Sequence, residues 1–295
     1  MGTDRSAAIP GVSRLSEMKS WTAAFPFVPG AVAYFRKFFA LKILVFFLSN
    51  NVPGFSVEYL GLLLIVGFGA FFACFDRWHR IGILLLLAFA GIGIGGSFDT
   101  TPNHKFVECL FLLILLAFHS DGEARMESER LQSALFQCII LIVWFYSGVQ
   151  KVVHGYFLNG ELMAMYMYFD QTRLAATLRS VSDLELFRLQ TNLGPLGFEK
   201  SPLGITPMVR FICVGFARVV TVTEIVLPIL AVFRRTQCPA VVALIVMMVL
   251  IWFFSGIASF AFTSLACFLL FFPASAKRNF SILGGILALY TASLL

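Results

Sequence analysis

The sequence predicts an all-α polytopic integral membrane protein, a bundle of about nine transmembrane helices with its N-terminus in the cytoplasm. Three observations point there. Of the 295 residues, 59% are hydrophobic and only 13% charged, against about 25% charged in soluble domains, so a soluble globule would have no place for that much apolar surface. The apolar residues, 34 Phe among them, fall in successive runs divided by short polar connections. Lys and Arg collect in alternate connections, as they do in cytoplasmic loops.

Residues 1–30 carry Arg5, Arg14 and Lys19 and lack the charged, apolar and small-residue order of a cleavable signal. They read as a cytoplasmic or interfacial segment, with the first helix acting as its own address. Apolar runs follow at about 33–49, 57–75, 81–96, 104–118, 131–152 and 209–233. The run from 240 to 272 is too long for one span, because about 1.5 Å per residue carries it well past roughly 30 Å of hydrocarbon. It divides best near Ser255 and Gly256, and a last run covers 280–295.

The cation count tests this division. Arg77 and Arg80, Arg125 and Arg130, Arg234 and Arg235, and Lys277 and Arg278 occupy alternate connections, whereas 50–56, 97–103 and the turn at 255 hold no Lys or Arg. With nine helices every short cation-bearing loop is inside and the C-terminus is outside. An undivided run would carry Lys277 and Arg278 to the wrong side. Residues 31–295 thus read as a single transmembrane bundle, with 153–208 as an extracytoplasmic cap. Leu162–Phe169 and Asp183–Leu193 are its amphipathic patches, suited to interfacial helices or to a substrate lid.

Several function classes lack support. The net charge of +6 is scattered and forms no stripe for nucleic acid. Six cysteines stand singly, with no metal or redox spacing. Gly91-Ile92-Gly93-Ile94-Gly95-Gly96 ends an apolar helix and opens no strand-turn-helix unit, so it is no dinucleotide fingerprint; Gly91 and Gly95 fit close helix packing instead. Asn279-Phe280-Ser281 is a glycosylation triplet on the inner side. There is no phosphate loop, no Gly-x-Ser-x-Gly elbow and no metal-ligand cluster.

Ionisable side chains within apolar spans are costly and invite a functional reading. Here they are Lys42, His104, Glu108, Lys151, His154, Arg218 and Glu224. His104 opens the fourth helix and Lys151 closes the fifth, so the topology brings both to the outer face. His104 and Glu108 are four apart, as are Ser147 and Lys151, and His154 follows Lys151 by three. A carboxylate one turn from an imidazole can fix its tautomer. A lysine held near apolar walls keeps a neutral amine fraction able to take a proton, a general base; the plainer readings are a lysine snorkelling to the interface and a histidine bonding there. Glu224 lies four residues before Pro228, whose missing N–H frees a carbonyl. It stands open as a pocket residue, a partner of Arg218 or Arg210, or a protonated carboxyl.

The block Trp144-Phe145-Tyr146-Ser147-Gly148-Val149-Gln150-Lys151, continued by His154-Gly155-Tyr156-Phe157-Leu158-Asn159-Gly160-Glu161, resembles the signature of the vitamin K-dependent gamma-carboxylase-like transmembrane family. Thr101-Pro102-Asn103-His104 is similar to that family's Asn-His at a helix start. Glu224 to Pro228 and Phe260 to Phe272 also fit its pattern, and the likeness runs from about Ala31 to Pro273. Two positions depart from it: Phe157 stands where the family has Trp, and Met248 where it often has His.

The resemblance implies an enzyme that oxidises vitamin K hydroquinone or a related quinol to the epoxide, with oxygen and carbon dioxide as co-substrates. The oxidation drives proton abstraction from, and carboxylation of, a peptide or protein acceptor. It implies Lys151 as the hydroquinone base, His104 as its hydrogen-bond partner and Asn103 as a ligand to the quinol oxygen. Tyr146, Met163, Met165, Tyr166 and Phe169 are candidate linings of an apolar quinol pocket, with Glu108, His154 and Glu224 in support. The expected location is a bacterial cytoplasmic membrane, with the active site on the extracytoplasmic side and the lipid bilayer, not nucleic acid, as the standing partner. The chain carries no counterpart of the large extracytoplasmic domain with which carboxylases grip their substrates. A non-catalytic membrane partner in peptide maturation or export is therefore the rival reading, and a carrier the third.

Overall fold

A computed structural model describes residues 22, 24–50, 57–96, 103–118, 124–155, 157–159, 207–255 and 258–292. Among these residues the protein is all-helical, with nine α-helices, one short 3-10 turn and no strand. The helices are α1 (Ala31–Asn50), α2 (Val57–Cys74), α3 (His79–Gly96), α4 (Asn103–Ala117), α5 (Ala124–His154), α6 (Pro207–Val232), α7 (Gln237–Ser255), α8 (Ala258–Leu269) and α9 (Ala276–Ala292). They follow the apolar runs in number and order. The expected division of the longest run appears as the end of α7 at Ser255 and the start of α8 at Ala258.

Two stretches, Arg125–Val153 and Phe211–Val232, are long and apolar enough to cross a bilayer. Leu60–Cys74, His79–Ile92, Gln237–Trp252 and Ala258–Leu269 are apolar but shorter. Helix α5, 31 residues long, starts at Ala124, before the run expected from 131. Its first two turns are polar and hydropathy does not register them, yet Arg125 donates to Glu129 one turn on at 3.0 Å, a pairing that supports helix. The helix ends where Gly155 adopts φ +69°, a left-handed conformation that costs glycine little. Most of the cap expected over 153–208 lies outside the described residues.

The chain forms two compact units. The first comprises residues up to Cys138 together with Ala266–Leu295, and the second Ile139–Leu265. In the first, α1 packs against α2 and α9, α2 against α3, and α3 against α4. Its centre is aromatic. Phe35 stacks on Phe136 with ring centroids 4.6 Å apart, and Phe111 meets Phe136 edge-on at 5.2 Å. Buried Gln137 donates to the carbonyls of Leu270, at 2.9 Å, and Pro26, at 3.2 Å. That carboxamide ties α5 to the segment ahead of α1 and to the α8–α9 link.

Close approach within this unit falls at Gly82, where an added Cβ would collide with the backbone of Ala73 and Gly69. It does not fall at Gly91, which faces open space. The expectation of close packing at Gly91 is corrected: small residues four apart mark a possible contact stripe, but only the helix's rotation decides whether that stripe meets a neighbour. Gly95 lies among the residues whose surroundings are not described.

In the second unit α6 packs on α7. Trp144, buried on α5, donates its indole N–H to Ser264 Oγ at 3.4 Å, and Trp252 packs on Phe262 with centroids 5.1 Å apart. Large apolar side chains also cover the outside of both units, among them Leu64, Phe68 and Phe71 on α2 and Ile142, Val222 and Val226 on α5 and α6. Singly such residues are ordinary on a soluble surface, but rows of them along whole helices are what a lipid-facing surface requires.

Candidate functional site

Lys151 stands in the last turn of α5, where the helix has left its apolar stretch and is about to close on Gly155. Its ammonium donates to Ser147 Oγ, one turn back, at 3.3 Å, as the spacing of four requires. Its main partner comes from another helix: Nζ donates to both Oε1 and Oε2 of Glu224 on α6. Phe157, buried just beyond the end of α5, presents its ring 4.7 Å from Nζ. The lysine side chain is 21% exposed and that of Glu224 only 6%, so the ion pair is sealed on the glutamate side and open on the lysine side.

The two helices come close enough for this because Gly148 lies at their contact. A Cβ there would fall 2.7 Å from Ile225 Cγ1 and 3.0 Å from Glu224 Cβ, inside any real contact distance. Glu224 is therefore held against α5 by backbone proximity as well as by charge. Four residues further on, Pro228 lies within α6 and leaves the main-chain carbonyl of Glu224 without its helical donor, adding an acceptor to the same turn. Together these residues make an amine on a carboxylate, flanked by a hydroxyl and an aromatic face. A proton can pass between Nζ and the carboxylate without crossing water, and a bound O–H donor can reach the amine from its open side.

This partner was not singled out from the sequence. Glu224 was left open as a partner of Arg218 or Arg210, and the structure pairs it with Lys151; Arg218 is exposed. Serine at 147 and the aromatic at 157 were both part of the motif. Phe157 supplies a ring beside the lysine, and Met248 is fully buried. Tyr146 is 59% exposed.

The first unit holds a separate buried pair. Lys42 of α1, fully buried, donates to Glu108 Oε1 of α4, and Lys105 reaches Glu108 Oε2 at 3.2 Å. The rings of Phe39 and Phe46 lie 5.6 and 5.5 Å from the Lys42 ammonium. Glu108 was expected to steady His104, and its carboxylate is engaged by two lysines. Asn103 and His104 form the first turn of α4 in this unit, and His154 is the last residue of α5. The side chains of all three, and Met163, Met165, Tyr166 and Phe169 altogether, lie outside the described residues. Among the described residues no three His, Cys, Asp or Glu side chains form a metal-binding group.

No protein-family model, no curated protein and no solved structure matches the chain.

Proposed function

We propose that the chain is a polytopic membrane enzyme of the vitamin K-dependent gamma-carboxylase type, using hydroquinone oxidation to drive proton abstraction from an acceptor and its carboxylation. The observation that carries this reading is the Lys151–Glu224 pair with Phe157 beside it. The chain holds a second such pair, Lys42–Glu108, but that one is sealed on both sides. Lys151 differs in being 21% exposed with an aromatic face beside it, so a bound hydroxyl can reach its amine, as a proton-transfer site needs.

Vitamin K hydroquinone, oxidised by oxygen, supplies the strong base that such carboxylation needs, and carbon dioxide then traps the carbanion. The residues present fit a quinol: a hydroxyl-bearing aromatic ring needs a base beside an apolar face, and Lys151 with Phe157 offers both. Lys151 takes the proton from a quinol hydroxyl, and Glu224 holds the amine in place and receives that proton in turn. The resemblance assigns His104 and Asn103 as hydrogen-bond partners to the quinol oxygens and Tyr146, Met163 and Tyr166 as linings of the ring pocket, with His154 in support.

Nine membrane spans, with the site on the extracytoplasmic side, are part of the same proposal. They are supported by the match of helix bounds to apolar runs, the alternation of cationic connections and the apolar outer faces of the helices. Incubating the purified protein with hydroquinone, oxygen, labelled bicarbonate and a glutamate-containing peptide as acceptor tests the chemistry. The expected result is quinone epoxide and acid-stable label, both lost in Lys151→Ala. Epoxide formation that survives intact in Lys151→Ala overturns the assignment. No epoxide at all, together with a second protein that copurifies in mild detergent, favours the non-catalytic partner.

A further inference from the structure

At one end of the first unit, the start of α1, the α2–α3 connection, the end of α4 and the start of α5 surround a small cavity of about 70 Å³. The quinol chemistry makes no use of it. Its lining has both signs of charge in two pairs: Arg36 with Asp76, and Arg125 with Glu129 at 3.0 Å. Depth separates the signs within each pair. Arg36 and Glu129 are the inner members, 10% and 14% exposed, while Asp76 and Arg125 stand at the mouth, 60% and 54% exposed.

Two polar atoms of this lining are buried without a hydrogen-bond partner, Arg36 Nε and Ser128 Oγ. A buried guanidinium N–H left unpaired is costly, and native structures rarely leave one so without a ligand to complete it. The missing partner is an acceptor, and the best acceptor for an arginine is an oxyanion. A simple anion is nevertheless a poor occupant, because the carboxylates of Asp76 and Glu129 line the same space. Glu129 is already engaged through both oxygens, by Arg125 and the Gly30 N–H, whereas Asp76 gives only Oδ1 to Arg36 and, exposed at the mouth, can still face a cation that the oxyanion brings with it.

We infer that this cavity binds a short zwitterion, an oxyanion and a primary ammonium a few bonds apart, as in an aminoethyl phosphate. The oxyanion accepts from Arg36 and Ser128, and the ammonium faces Asp76 at the mouth. Two sources present this chemistry: the headgroup of phosphatidylethanolamine and a free aminoalkyl phosphate. The position of the cavity, at helix ends rich in arginine, suits either.

The test reconstitutes the full chain in nanodiscs of phosphatidylethanolamine, phosphatidylglycerol or phosphatidylcholine and reads retained lipid by native mass spectrometry. A second arm titrates O-phosphoethanolamine or inorganic phosphate into detergent-solubilised protein and follows the unfolding midpoint. The expected outcome is at least fivefold preference for the aminoethyl phosphate form in one or both arms. Preference in the lipid arm alone identifies the headgroup as the source; a response to O-phosphoethanolamine alone identifies the free molecule. Arg36→Gln and Asp76→Asn each reduce that preference at least fivefold. Should Arg36→Gln fail to fold, Asp76→Asn and Ser128→Ala carry the test. Equal retention of phosphatidylglycerol or phosphatidylcholine, an equal response to inorganic phosphate, no preference in either arm, or full preference in both Asp76→Asn and Ser128→Ala overturns the inference.

Discussion

Glu224 lies against Lys151, 73 positions away in the chain, and both of its carboxylate oxygens receive the lysine's ammonium. Glu224→Gln keeps the shape and an acceptor but removes the charge and the proton-accepting oxygen. We expect a loss of roughly 1–3 kcal/mol in stability, since a partly buried ammonium is left without its counter-charge. Hydroquinone turnover should fall by about 100-fold or more, the usual scale for a lost proton acceptor. Exchanging the two residues, Lys151→Glu with Glu224→Lys, should recover most of the stability and none of the turnover. Thermal unfolding in detergent and an epoxide assay read the two effects separately.

Lys42 and Glu108 should behave as a pair whose members cannot be removed singly. Lys42→Met strands a buried carboxylate and is expected to cost about 3–5 kcal/mol. Lys42→Met with Glu108→Leu removes both charges and should return to within about 1–2 kcal/mol of the parent protein. Lys105, 41% exposed, contributes less, and Lys105→Ala should stay within about 1 kcal/mol. Additive losses in the double variant would show that the two residues act independently.

Gly148→Ala should strain the α5–α6 contact. The new methyl meets Ile225 and Glu224, and overpacking of this kind costs about 1–3 kcal/mol. Because the same atoms hold Glu224 in place, turnover should fall along with stability. Gly215→Ala on α6 is the control: nothing lies within 4 Å of its added Cβ, and replacing a helical glycine there should be neutral or stabilising by up to about 1 kcal/mol. Both are read by unfolding midpoint.

Acid should weaken the Arg36–Asp76 link. Burial pushes the Asp76 carboxyl up, but the hydrogen bond and charge of Arg36, with Lys37 and Arg125 nearby, outweigh it and hold the group below the ordinary aspartate value of 3.8. The unfolded chain therefore binds the proton more readily than the folded one. The contribution is complete above about pH 4–5 and disappears as pH falls through the lower folded value. With Asp76 60% exposed it amounts to less than about 1 kcal/mol. Asp76→Asn should flatten that part of the curve of unfolding midpoint against pH, with no change at neutral pH beyond this amount.

Cys238 offers a direct reading of topology. It is exposed near the start of α7, beside Arg234 and Arg235, whereas Cys213 and Cys267 are buried. With the remaining cysteines replaced, a membrane-impermeant maleimide should label Cys238 in inside-out vesicles and leave it unmodified in intact cells. Labelling from outside would reverse the assigned orientation.

Much of the helical layout is legible in the sequence because solvation writes it there. Long apolar runs divided by polar connections mark the helices, and the expected break at Ser255 is a real helix end. The start of α5 was harder to read, since a polar amphipathic turn such as 124–130 looks like a loop to any measure of hydropathy. Side-chain partnerships were harder still. Lys151 is legible from its motif, and its bond to Ser147 from spacing alone, yet the sequence offers Glu224 two candidate partners, Arg218 and Arg210, and the true one lies on a helix far along the chain. Lys42 and Glu108 were each conspicuous as charges in apolar surroundings. What joins them is the packing of α1 and α4, which local sequence does not record. Gly91 differs for the complementary reason: its smallness invites a close contact, but the rotation of α3 leaves it facing open space.

The carboxamide of Gln137 bonds to Pro26 and Leu270, stretches that a ribosome makes at opposite ends of its task. Synthesis proceeds at about 5–20 residues per second, so the first unit stands unfinished for roughly 10 s while all of Ile139–Leu265 is extruded. During that wait the face of α1 that will receive α9 has no mate. A stalled or truncated product ending before Ala266 leaves that seam open to chaperones and proteases, whatever the state of the rest of the polypeptide.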